Sequence, residues 1–167
     1  MRLRYGLVLL GELAFFSAHA ADRIELSTRV SGVVEDVLVS VGQKVKKGDL
    51  LLRLNKVIYQ ARIDEASADF DRTHADETDA RSDLERAQEL YSRTVSSTTE
   101  LDAAKLRYNR AKSALSAAEA RLRIAKINLA DTELKAPIDG VIAALPAAPG
   151  VVVAAECQPR PFVWMSR

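Results

Sequence analysis

The sequence predicts an α+β chain in which a small β-domain is divided into two halves by a long antiparallel α-helical coiled-coil hairpin. Three observations predict this. Residues 56–132 contain neither Gly nor Pro and carry two heptad seams. The segments on either side are valine-rich and punctuated by glycine. Those two flanking segments also repeat each other.

The N-terminus reads as a secretory leader over residues 1–20. Arg2 and Arg4 supply a positive start, Tyr5 to Phe16 a short apolar stretch interrupted by Glu12, and Ala18-His19-Ala20 a small-x-small cleavage pattern. Cleavage after Ala20 would start the mature chain at Ala21. The competing reading of the same residues is a buried N-terminal helix. The stretch is shorter than the ~20 apolar residues that span a bilayer.

Residues 24–55 read as short strands. Val33, Val37, Val39, Val41 and Val45 alternate with polar neighbours in places, and Gly32, Gly42 and Gly48 are expected to make turns at positive φ.

The pattern changes at Lys56. The second arm holds an unbroken seam: Leu101, Ala104, Tyr108, Ala111, Leu115, Ala118, Leu122, Ala125 and Leu129. Steps of three and four alternate along it, which is the coiled-coil spacing. A looser seam runs through Ile63, Ala66, Phe70, Thr73, Glu77, Ala80, Leu84, Ala87 and Tyr91. The tip is expected at residues 93–97, with Ser97 and Glu100 forming a capping box for the second helix. Asn55 is the expected cap of the first. So short a tip forces the arms antiparallel. Charge agrees: residues 56–92 hold five basic and ten acidic groups, residues 98–132 seven basic and four acidic. The opposite signs favour pairing of the arms, modestly, because exposed pairs are weak.

Residues 133–167 return to strand-like text, where Pro137, Gly140, Pro146, Pro149 and Gly150 exclude a continued helix. This segment repeats the first. Gly32-Val33-Val34 matches Gly140-Val141-Ile142, Gly42 matches Gly150, and Val45 matches Val153. Gly140 and Gly150 are therefore expected to be turns as well. The match fades after Val153, where Glu156 stands in place of a counterpart to Gly48. The tail is expected to be degraded. Neither half is long enough to bury a core alone, so the two should pair in a pseudo-twofold barrel or sandwich.

On these residues the chain resembles the periplasmic adaptors, or membrane fusion proteins, related to the haemolysin-secretion adaptor. The run Val41-Gly42-Gln43-Lys44-Val45-Lys46-Lys47-Gly48-Asp49-Leu50-Leu51 looks like the family's first lipoyl half. Asn128-Leu129, Thr132, Leu134, Ala136-Pro137 and Asp139-Gly140-Val141 are similar to its return from hairpin to lipoyl domain. The resemblance implies a lipoyl-like barrel-sandwich hybrid domain. It also implies a periplasmic protein, peripheral to the inner membrane, that links an inner-membrane exporter of resistance-nodulation-division or ABC type to an outer-membrane efflux duct. Homo-oligomers are implied too. Arg86, Leu90 and Ser97 stand at the spacing by which the family's tips meet the duct. Family members continue into a β-barrel and a membrane-proximal domain. Here those parts are expected to be missing, as in a short form, a truncation or a non-functional remnant.

Other chemistry finds little footing. The net charge is +1 and no basic cluster interleaves with aromatics, so no nucleic-acid partner is expected. The histidines are His19, in the leader, and His74, and Cys157 is the single cysteine. That set predicts no catalytic site, no metal site and no cofactor. One alternative is a lipoyl or biotinyl carrier modified at Lys56, which lies near the junction of the first half with the hairpin.

Overall fold

The computed structural model describes residues 23–94, 97–155 and 161–166. The expected leader, Val95 and Ser96 of the tip, Glu156 and Cys157 lie outside the described residues. In chain order the elements are β1 (Arg23–Leu26), β2 (Gly32–Val37), β3 (Lys44–Val45), β4 (Leu50–Leu54), α1 (Val57–Ser92), α2 (Thr98–Ala130), β5 (Glu133–Lys135), β6 (Gly140–Ala144), β7 (Val152–Val153) and β8 (Val163–Ser166).

The strands form two four-stranded sheets, ordered β1-β8-β6-β3 and β5-β4-β2-β7. Each sheet takes two strands from each half of the chain, so the repeat is an exchange. Gly32 lies opposite Val153 as Gly140 lies opposite Val45. The loop hydrogen bonds repeat the exchange. Gly42 N–H donates to the Ile142 carbonyl at 2.8 Å, and Gly150 N–H to the Val34 carbonyl at 2.9 Å. Ile142 N–H donates to the Gln43 carbonyl at 3.0 Å, and Val34 N–H to the Val151 carbonyl at 2.9 Å. Neither half can complete its sheet without the other.

Between the sheets lies the core, built on Val34, Leu51, Leu52, Leu54, Ile142 and Val153. Each fully buried aliphatic side chain of this kind contributes about 2 kcal/mol.

Two expectations need correction. The tail is part of the core: β8 pairs with both β1 and β6, and Val163 and Met165 are completely buried. Met165 lies opposite Ile142 as Leu54 lies opposite Val34, so β8 is the counterpart of β4, reached by a longer connection. Positive φ also divides the glycines. Gly42, Gly48 and Gly150 have it, at 84°, 95° and 84°. Gly32 and Gly140 do not; they open strands β2 and β6. For Gly140 the requirement is space, because a Cβ there would lie 2.5 Å from the Ser166 carbonyl oxygen. Gly32 has no such neighbour: its nearest contact would be ordinary, at 3.5 Å from Leu54.

The hairpin leaves the β-domain where the halves meet. Asn55 N–H donates to the Val33 carbonyl, and Leu54 N–H to the Thr132 carbonyl, both at 2.8 Å. Buried Tyr59 donates its hydroxyl to the Ser31 carbonyl, tying the first turn of α1 to the β1–β2 connection. Asn55 is not the N-cap. Lys56 takes that place without a side-chain capping bond, while Asn55 Oδ1 accepts from Val57 N–H at 3.1 Å. Lys56 is αR and exposed, at a helix start, so it does not occupy the tight β-turn that presents a modified lysine.

Along α2, Leu101, Ala104, Ala118 and Ala125 are buried, and Tyr108, Ala111, Leu115, Leu122 and Leu129 are half-buried. On α1, Thr73 and Glu77 are buried, Ile63, Ala66, Phe70, Ala80, Leu84 and Ala87 half-buried, and Tyr91 exposed. Among the described residues, ion pairs cross between the arms from Asp69 to Arg121 and, at 3.6 Å, from Asp83 to Arg107.

Candidate functional site

The far end of the hairpin is the site that the sequence singled out. The first arm finishes with the C-cap Arg93, whose N–H donates to the Glu89 carbonyl, and its guanidinium pairs with the Glu89 carboxylate. Thr94 follows with φ at 60°, a left-handed turn carried by a residue other than glycine. The second arm begins at Ser97 with a full capping box. Ser97 Oγ accepts from Glu100 N–H at 3.3 Å, and Ser97 N–H donates to Glu100 Oε2 at 3.2 Å. Two N–H groups at the helix start are thereby satisfied without a tertiary partner.

Arg86 and Leu90 lie one turn apart on the same face of α1. They line a groove of about 280 Å³ with Asp83 and Ala87 of α1 and Glu100, Ala104 and Arg107 of α2. Arg86 lies 3.5 Å from Asp83, which also approaches Arg107. Leu90 is 41% exposed, an apolar side chain on an otherwise charged rim. Ser97 is not a wall of this groove. It stands at the start of α2, and its backbone holds the Glu100 carboxylate that is one. The three predicted residues are therefore two groove residues and one cap beside them. The α2 side of the groove was not legible beforehand, because it depends on the register between the arms. The one available signal was the seam spacing, which places Asp83 and Arg107 beside it.

A second groove, of about 490 Å³, lies between the arms near the β-domain, lined by Arg62, Glu65, Asp69, Arg121, Ile124 and Asn128 among others. The Arg72 guanidinium beside Asp69, and then Arg121, hold its carboxyl below the usual carboxylate range, against an opposing effect of desolvation. Among the described residues no group of His, Cys, Asp and Glu is placed to hold a metal ion. No described helix is long and apolar enough to cross a membrane.

Comparisons with known proteins place this architecture. The family model described as the RND MFP barrel-sandwich hybrid domain matches residues 22–164. The efflux pump periplasmic linker BepD of Brucella suis is 31% identical over 123 residues, which is 74% of this chain and 31% of BepD. The multidrug resistance protein MdtA of Escherichia coli O157:H7 is 31% identical over 121 residues, 72% of this chain and 29% of MdtA. Among solved structures, a MacA–MexA chimera containing the Pseudomonas aeruginosa MexA α-hairpin superimposes with a TM-score of 0.56 at 26% identity. That match covers 87% of this chain and 46% of the chimera. The chain thus spans about a third of the length of these two curated relatives. A match across nearly every described residue, reaching from β1 into β8, shows that the chain belongs to the membrane fusion protein family of resistance-nodulation-division systems, as its barrel-sandwich hybrid domain with the helical hairpin inserted.

Proposed function

We propose that the chain acts in the periplasm, peripheral to the inner membrane, as a non-enzymatic adaptor between an inner-membrane exporter and an outer-membrane efflux duct, assembled from several copies. The observation that carries this reading is the hairpin with its open tip groove. Arms of 36 and 33 residues reach ~50 Å at 1.5 Å per residue. At their end an exposed leucine stands between a cation and an anion. The groove between two duct helices offers a complementary surface: apolar contact for Leu90, and backbone carbonyls or carboxylates for Arg86. Ser97 fixes the start of α2 and with it the Glu100 wall.

The β-domain is the base in this reading. Its sheets are closed by exchange between the two ends of the hairpin. A force on the tip is therefore transmitted to both halves at once. Leu90→Asp and Arg86→Asp test the docking. Each should reduce cross-linking to the duct while the helical circular dichroism stays unchanged. Unchanged cross-linking would remove the tip from the interface.

A further inference from the structure

Where the hairpin meets the β-domain, a cavity of about 240 Å³ opens between three segments of the chain. The β1–β2 connection contributes Arg29 and Ser31, the first two turns of α1 contribute Tyr59 and Arg62, and the last turn of α2 contributes Asn128. Among the described residues no acidic side chain lines it. The side chains of Arg29, Arg62 and Asn128 have neither an ion-pair nor a hydrogen-bond partner among the described residues. The larger groove between the arms shares Arg62 and Asn128, but there Arg121 is matched by Asp69. The smaller cavity has no such compensation of its own charge.

These donors are held in place by their surroundings. The Arg62 guanidinium lies over the Tyr59 ring, 5.5 Å from its centre. Tyr59 is itself buried and pinned through its hydroxyl to the Ser31 carbonyl. Arg29 stands between buried Thr28 and Val30, and Thr28 Oγ1 donates to the Val30 carbonyl at 3.0 Å. The Arg29 backbone is thereby fixed while its side chain stays exposed. Asn128 is half-buried, next to Leu129, which packs against the core. Ser31 Oγ accepts from Ala155 N–H at 2.9 Å, which leaves its own hydrogen to donate.

We propose that this cavity binds a phosphate-type oxyanion, gripped by Arg29 and Arg62 and hydrogen-bonded by Asn128. Two guanidinium groups without a carboxylate repel a cation and offer an apolar ligand nothing. Arginine keeps its charge across the physiological range and presents a fork of N–H donors suited to oxyanions. A carboxylate is planar and is served by one such fork. Donors arriving from three segments suit a tetrahedral anion better. An anion held there also bridges the β1–β2 connection to both arms, beside the hydrogen bond from Tyr59 to Ser31. It braces the root of the hairpin against the β-domain, independently of what the tip contacts.

Titration of the full, isotope-labelled chain with inorganic phosphate, at ionic strength held constant with chloride, tests this by nuclear magnetic resonance. The Arg29 and Arg62 Nε–H and Asn128 side-chain amide signals should shift and saturate together. Those of Arg110 and Arg123, exposed elsewhere on α2, should not. Arg29→Gln and Arg62→Gln should each weaken phosphate binding about tenfold, the loss of one charge-assisted hydrogen bond. Both replace exposed side chains, so helical circular dichroism should be retained. Shifts that fail to saturate, saturation centred on other residues, or unchanged affinity in either variant would overturn the proposal. The shifts in the parent chain decide the matter even if a variant fails to fold.

Discussion

Arg81 donates a hydrogen bond of 2.7 Å from Nη2 to Glu77 Oε1, and its two ends live in different surroundings: the Glu77 side chain is 5% exposed and that of Arg81 57%. A carboxylate thus occupies a seam position of the hairpin, held there by a guanidinium that reaches in from solvent. Glu77 in turn keeps the Arg81 guanidinium charged above its usual value, with Tyr108 of the other arm adding to the effect.

This arrangement predicts unequal effects of removing either partner. Glu77→Leu removes a desolvated charge and leaves Arg81 free to hydrate, so it should stabilise the hairpin by ~1–2 kcal/mol. Arg81→Ala leaves the buried carboxylate without its partner and should lower the melting temperature. Thermal unfolding followed by circular dichroism measures both. A hairpin weakened by Glu77→Leu would show that the pair contributes more than its burial costs.

The tail strand predicts a core defect. Met165 is completely buried opposite Ile142, and Met165→Ala should cost about 2–4 kcal/mol through lost transfer energy and the cavity left behind. Urea unfolding checks it. An effect below ~0.5 kcal/mol, typical of a surface position, would detach β8 from the core.

The two strand-opening glycines should respond differently although the repeat equates them. Gly140→Ala drives a Cβ into the Ser166 carbonyl and should cost ~1–3 kcal/mol. Gly32→Ala meets Leu54 at an ordinary distance and should stay within ~0.5 kcal/mol of the parent. Equal losses in urea unfolding would mean that the close approach is relieved by backbone movement.

Asp69 predicts a pH dependence. Its carboxyl is held below the usual range, so the unfolded chain takes up the proton first as the pH falls. Its contribution is fully present above the unfolded value of about 3.9 and is lost as the pH drops through the lower folded value. The difference in urea midpoint between the parent and Asp69→Asn should be constant from neutral pH to about pH 5, then vanish on further acidification. A difference that grows with acid would reverse the sign.

Legibility followed the range of the interaction. The hairpin was readable because heptad spacing is local: Leu101, Ala104, Ala118 and Ala125 announce their face without knowledge of what covers it. The exchange of half-domains was readable as a repeat, since Gly42 and Gly150 need positive φ and the sequence marks them. The tail was not, because β8 has four residues and follows a longer connection than its counterpart β4. Gly32 and Gly140 look like turn glycines in text, and only the strand register shows that one of them needs space. The α2 wall of the tip groove depends on how the arms slide against each other.

The docking of the tip is the central claim, and in-cell photo-cross-linking tests it most directly. A photoreactive residue placed at Leu90 should form an adduct with an outer-membrane duct protein, and the same residue at His74, mid-arm and exposed, should not. Equal duct adducts from both positions, or none from Leu90, would contradict the account.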